Sequence, residues 1–149
     1  MTNHPLKTLR FRAEATLVGG LLFVIRQLPL TVSSWIGGKV LQIVGPFLPA
    51  HRTARTNLER AFPEKDPGEI AGILRGMWDN LGRTAAEYPH HDTIKAEAGT
   101  RLEVHGGELL EDIAANPRPA VFFSAHMANW EVLPIASALR GLPVNPVFR

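Results

Sequence analysis

The sequence predicts an α/β protein in two parts. Residues 1–50 form an apolar helical segment that associates with a membrane. Residues 51–149 form the N-terminal part of a domain in which helices flank a mixed or parallel sheet. Three observations carry this. Eleven uncharged residues, Ala15–Ile25, and a second apolar stretch, Leu28–Ala50, crowd the first third of the chain. Apolar residues then recur at threes and fours from Ile70 to Tyr88, the spacing of one helix face. From Arg101 onward the pattern alternates between strand-like and helix-like runs, which implies a doubly wound layer.

Met1–Arg12 is polar and basic, with Lys7, Arg10 and Arg12. The uncharged run that follows falls short of the roughly 20 residues of a simple membrane span, and reading through Arg26 places a cation inside it. A secretory signal shares this basic start and apolar middle, but no small-x-small cleavage site follows. Pro29, Pro46 and Pro49, with Gly37-Gly38, break the segment into two or three pieces. The expectation is a broken hairpin or tilted helix in one leaflet, with Arg26 and Lys39 reaching for headgroups. A pair of ordinary core helices is the alternative.

Asp66-Pro67-Gly68-Glu69 is a helix start: Asp caps, Pro occupies the first turn, and Glu stands three residues past the cap. The helix runs some twenty residues, with Ile70, Ile73, Leu74, Met77, Trp78, Leu81, Ala85 and Tyr88 inward, while Asn80 and Glu87 read as solvated. His90-His91-Asp92 falls in the loop beyond it. Adjacent histidines point in different directions, so no metal site is expected there. Leu102–Val104 reads as a short strand, Gly106-Gly107 as a turn, and Glu108–Ala115 as a helix with Leu109, Leu110 and Ile113 on one side. Ala120–Ser124 is an unbroken apolar run of the buried, parallel-sheet type. Asn129–Arg140 is the next helix, Gly141 ends it, and Leu142–Phe148 is a third strand.

With 149 residues, 45% of them hydrophobic and 20% charged, the chain can bury a core and is not disordered. It has no cysteine, which excludes disulfides, thiolate nucleophiles and cysteine-bound zinc. A net charge of +2 hides an asymmetry: residues 1–60 carry eight Lys/Arg against two acids, and residues 61–149 carry eight against twelve. The cations are spread among Leu, Val, Ile and Phe, with no aromatic-studded sheet or recognition helix. That pattern suits an anionic membrane surface rather than nucleic acid. No phosphate-binding glycine loop is present.

The chemistry concentrates between Phe122 and Glu131. The apolar run stops at His126, and five residues later Glu131 stands at the head of a helical segment. A strand delivering His126 to its carboxyl end, and a helix carrying Glu131 in its first turn, would bring the two side chains together. An acid that takes the proton of one ring nitrogen leaves the other free as a general base. Taken singly, a strand-end histidine is usually just hydrogen-bonded, and an acid in a first helical turn has the helix dipole as reason enough. Ser124 lacks the elbow of a serine nucleophile.

Ala125-His-Met-Ala-Asn-Trp-Glu131 resembles the H-x4-[DE] acyltransferase motif in the form seen in bacterial lipid A late acyltransferases, the lauroyl and myristoyl acyltransferases. Arg55-Thr-Asn-Leu58 running into Ala61-Phe62-Pro63, Asn80-Leu81-Gly82 with Glu87, Val104-His-Gly-Gly-Glu108 and Val147-Phe148-Arg149 fit the same family. Met127-Ala128 departs from it, standing where the family has an aromatic or Leu followed by Gly.

The resemblance implies a glycerolipid-acyltransferase-like α/β fold, with a downstream half beyond Arg149. It implies direct transfer of a fatty acyl group from acyl carrier protein (or coenzyme A) to a hydroxyl of a lipid A precursor. His126 and Glu131 are then catalytic, and Asn129, Trp130 and Arg149 bind substrate, Arg149 suiting a sugar phosphate. No bound cofactor or metal is implied. The partners are acyl carrier protein, the lipid A precursor and membrane lipid, at the cytoplasmic face of the bacterial inner membrane. Another glycolipid acyltransferase (of the phosphatidylinositol mannoside type), a His/Glu hydrolase and an inactive membrane-binding fragment are the rival readings.

Overall fold

In the computed structural model the chain is described over residues 5–125 and 127–145, with residues 5–8 and 10 described by backbone alone. It divides into two compact units, Met1–His90 and His91–Arg149. In the first, α1 (Pro5–Arg26), α2 (Leu30–Val44), α3 (Pro49–Ala61) and α4 (Pro67–Glu87) follow one another, with 3-10 turns at Gly45–Phe47 and Tyr88–His90. The second holds four short helices, α5 (His91–Ala96), α6 (Ala98–Arg101), α7 (Gly107–Ala115) and α8 (Val132–Ala138).

Prolines set the breaks of the first unit. Pro29 stands before α2, Pro46 sits in the 3-10 turn, and Pro49 opens α3, positions where a missing N–H costs nothing. Asp66 closes the expected capping box. Its Oδ1 accepts from the Gly68 and Glu69 amides at 2.7 and 2.9 Å, and Glu69 Oε2 accepts from the Asp66 amide at 3.0 Å.

Gly37-Gly38 does not break α2. The pair is instead where α2 crosses α4, the most extensive helix contact in the unit. A β-carbon on Gly82 would lie 2.6 Å from the Gly37 carbonyl carbon and 3.0 Å from Gly38 Cα, so the two backbones touch directly. Further along, the Trp78 indole lies on Gly45 and donates from Nε1 to His51 Nδ1 at 3.0 Å. The buried residues of α4 are Ile70, Leu74, Trp78, Gly82 and Ala86, at fourfold spacing, together with Thr84. Ile73, Leu81, Ala85 and Tyr88, expected inward, are exposed. The pattern of large side chains pointed to the wrong half of the face because contact beyond Trp78 is made through small residues.

Polar groups close the same interface. Ser34 Oγ donates to Glu87 Oε1 at 2.7 Å, so Glu87 is anchored rather than solvated. Ser33 Oγ donates to the Ile25 carbonyl at 3.1 Å, and its oxygen lies 3.0 Å from Nε2 of the buried His90. With the hydroxyl proton committed to Ile25, His90 donates through Nε2.

The expected sheet is absent: among the described residues there is no strand, and the fold is helical. This corrects the α/β reading. Leu102–His105 and Pro117–Ala125 carry no regular structure, and Val121, Phe122 and Phe123 are exposed, Phe123 at 95%. A strand exists only through hydrogen bonds to a neighbour. The apolar run supplies β propensity but meets no backbone to pair with. Of the third strand, Leu142–Asn145 is irregular and residues 146–149 lie outside the described residues. Elsewhere in the second unit Leu109, Leu133 and Leu139 are exposed, while Ile94, Gly107, Ala136 and Ser137 are buried.

Candidate active site

The segment before the motif is held by a local anchor. At the end of α7 the Asp112 carboxylate accepts from the Asn116 amide at 2.9 Å and from Arg118 Nη2. The Arg118 guanidinium, then the Asn116 amide, hold the Asp112 carboxyl below the usual carboxylate range. This cluster fixes the turn through Pro117 from which the chain leaves towards Ala120–Ser124.

Beyond Ser124 the backbone coils tightly. The Met127 amide donates to the Ala125 carbonyl at 2.8 Å, and Ala128 takes φ +47°, the left-handed region. That conformation costs an L-residue about 1–2 kcal/mol. Asn129 then turns the chain into α8. Its Oδ1 accepts from the Glu131 amide at 3.2 Å, and its carbonyl accepts from the Val132 amide at 3.2 Å. Glu131 occupies the cap position of α8, one residue ahead of the helix, rather than its first turn. Trp130 Nε1 donates to Glu131 Oε1 at 3.1 Å.

Three of the residues singled out from the sequence are thus brought together: Asn129, Trp130 and Glu131 form one hydrogen-bonded, half-buried turn. His126 and Arg149 lie outside the described residues. The strand that was to deliver His126 is not there, so the residues around the motif are placed by turns alone. Sequence reasoning missed the two contacts that orient Glu131, although an Asn two residues before an amide is a recognised turn signal. It also missed the Asp112–Asn116–Arg118 anchor, legible as Asp-x3-Asn-Pro-Arg.

A cleft of about 310 Å³ in the second unit is lined by Leu102, Val104, Glu111, Leu139 and Arg140, among others, and by none of residues 120–131. Within it Arg140 lies against Gly107, donates from Nη1 to the Ala136 carbonyl at 3.1 Å, and holds Nε 3.7 Å from Glu111 Oε1. Those contacts tie α7 to α8. No group of His, Asp and Glu residues among those described has the arrangement of a metal site.

The Asn129–Trp130–Glu131 turn holds the acid of the sequence motif at the entrance of α8. The family described as bacterial lipid A biosynthesis acyltransferase matches residues 4–139, and the chain belongs to it. No curated protein and no solved structure matches the chain.

Proposed function

We propose that this protein transfers a fatty acyl group from a thioester on acyl carrier protein (or coenzyme A) to a hydroxyl of a lipid A precursor. His126 is the general base and Glu131 its orienting acid. The Asn129–Trp130–Glu131 turn is the observation that carries this reading within the family.

Glu131 holds the imidazole in one tautomer and stabilises the imidazolium that forms when the acceptor hydroxyl gives up its proton. The alkoxide attacks the thioester carbonyl, the C–S bond breaks, and the imidazolium returns its proton to the departing thiolate. Asn129 and Trp130 contribute to substrate binding, and Arg149 matches a sugar phosphate. The exposed side chains of Val121, Phe123 and Met127 beside the turn suit an acyl chain.

The same reading places the protein at the cytoplasmic face of the bacterial inner membrane. Its support is α1, where Leu17, Val18, Leu21, Phe23 and Val24 are all exposed, an apolar surface that water does not favour. Among the described residues no helix is long and apolar enough to cross a membrane.

The test is transfer of a radiolabelled acyl group to a lipid A precursor. His126→Ala and Glu131→Ala are each expected to lose a hundred- to ten-thousand-fold in rate, the range of a positioned base, with helical content unchanged. Near-normal turnover in either variant sinks the mechanism.

A further inference from the structure

The cations of α3 have no role in the reading above. No side chain of this helix is buried; His51, Ala54, Thr56 and Leu58 are half-buried, the first two and Leu58 on one edge, and the helix packs on α4. Arg52, Arg55 and Arg60 are exposed, and among the described residues they make no hydrogen bond or ion pair. At 100° per residue the three fall within an arc of about 140° away from α4, with Glu59 the acid among them. The three guanidinium groups are therefore hydrated and open to a ligand of opposite charge.

Their surroundings say what they meet. At the corner where α2 gives way to α3, Phe47 is 84% exposed, and Ile43 and Trp35 stand exposed on α2. Guanidinium groups bind phosphate oxygens in pairs, and a large apolar side chain beside them inserts below the headgroup plane. An acidic carrier protein would satisfy the charges but offers no hydrocarbon layer to Phe47, Ile43 and Trp35.

We propose that α3 and the Phe47 corner form an in-plane docking surface for an anionic phospholipid leaflet, in which Arg52, Arg55 and Arg60 contact headgroup phosphates and Phe47 inserts. This rests on the membrane association proposed above and adds the surface and the headgroup chemistry that direct it.

The test is flotation of the whole chain with vesicles of phosphatidylcholine alone and with phosphatidylglycerol at three parts in ten (about 30%), at low and high salt. The wild type is expected to bind the anionic vesicles on the order of a hundredfold more tightly, about fivefold per arginine. Arg52→Gln/Arg55→Gln/Arg60→Gln is expected to lose that preference and keep its affinity for neutral vesicles. The corresponding triple Lys variant keeps the preference, because charge is what is read. An anionic preference unchanged in the Gln variant, or lost in the Lys variant, overturns the proposal. So does a Gln variant that floats normally but turns over acyl carrier protein thioesters poorly and coenzyme A thioesters well, which would give the helix to the carrier. Transfer to a detergent-dispersed acceptor by the Gln variant is expected to be normal, so failure of the docking surface is separable from failure of the catalytic reading.

Discussion

The crossing of α2 and α4 makes Gly82→Ala the sharpest test of the fold. A β-carbon there would lie 2.6 Å from the Gly37 carbonyl carbon and 3.0 Å from Gly38 Cα, against about 3.5–4.0 Å for an unstrained carbon pair. Both obstructions are backbone, so no side chain can rotate away, and the helices must part by roughly 1 Å along the unit's main interface. Gaps of that size forfeit about a quarter to a half of the local dispersion energy, and overpacking of a tight core costs about 1–3 kcal/mol. The gain in helix propensity, about 1 kcal/mol, offsets part, leaving a net loss of up to about 2 kcal/mol. Gly76 lies on the same helix with nothing within 4 Å of its would-be β-carbon, so Gly76→Ala should gain about 0.5–1 kcal/mol. Followed by circular dichroism on heating, the first variant should melt several degrees below the wild type and the second a few degrees above it. Gly37→Ala should also destabilise, and the double variant should cost less than the two losses added, since the helices part only once. A Gly82→Ala protein as stable as the wild type would refute the crossing.

Other consequences follow from single contacts. Asp66→Ala removes the two hydrogen bonds accepted by the cap side chain while leaving the residue-66 amide on Glu69, and should cost about 1 kcal/mol, read as a lower urea midpoint. Ala128→Gly should stabilise by about 0.5–1 kcal/mol and Ala128→Val should destabilise, since φ +47° suits only the first; equal melting temperatures would contradict that backbone. Asp112 is held below its ordinary pKa in the folded state, so its contribution is present above that value and fades as pH falls through the lowered one. The stability difference between wild type and Asp112→Asn should therefore shrink on going from about pH 6 to below about pH 3, and added salt should shrink it too. Trp130→Phe frees Glu131 Oε1 from its donor and should lower kcat more than it raises KM, if the indole serves to aim the acid.

What was legible in the sequence lies within four or five residues of itself. Pro29 and Pro49 mark helix starts because proline has no amide to lose there, Asp66 and Glu69 cap each other across one turn, and Gly106 takes φ +73° where the chain reverses. The motif ending in Asn129-Trp130-Glu131 likewise belongs to one short turn, and it was enough to place the chain in its family. The structure decided everything that joins distant residues. A strand needs a second backbone, and among the described residues Ala120–Ser124 meets none, so its apolar pattern is an exposed loop. Which face of α4 is buried was settled by Gly37, 45 residues away from Gly82, because glycine is silent in a hydrophobic pattern yet permits the closest approach of two helices. Ser34 finding Glu87, and Ser33 finding His90, followed from that crossing alone. Local chemistry fixes where a helix begins and ends; only packing fixes what it touches.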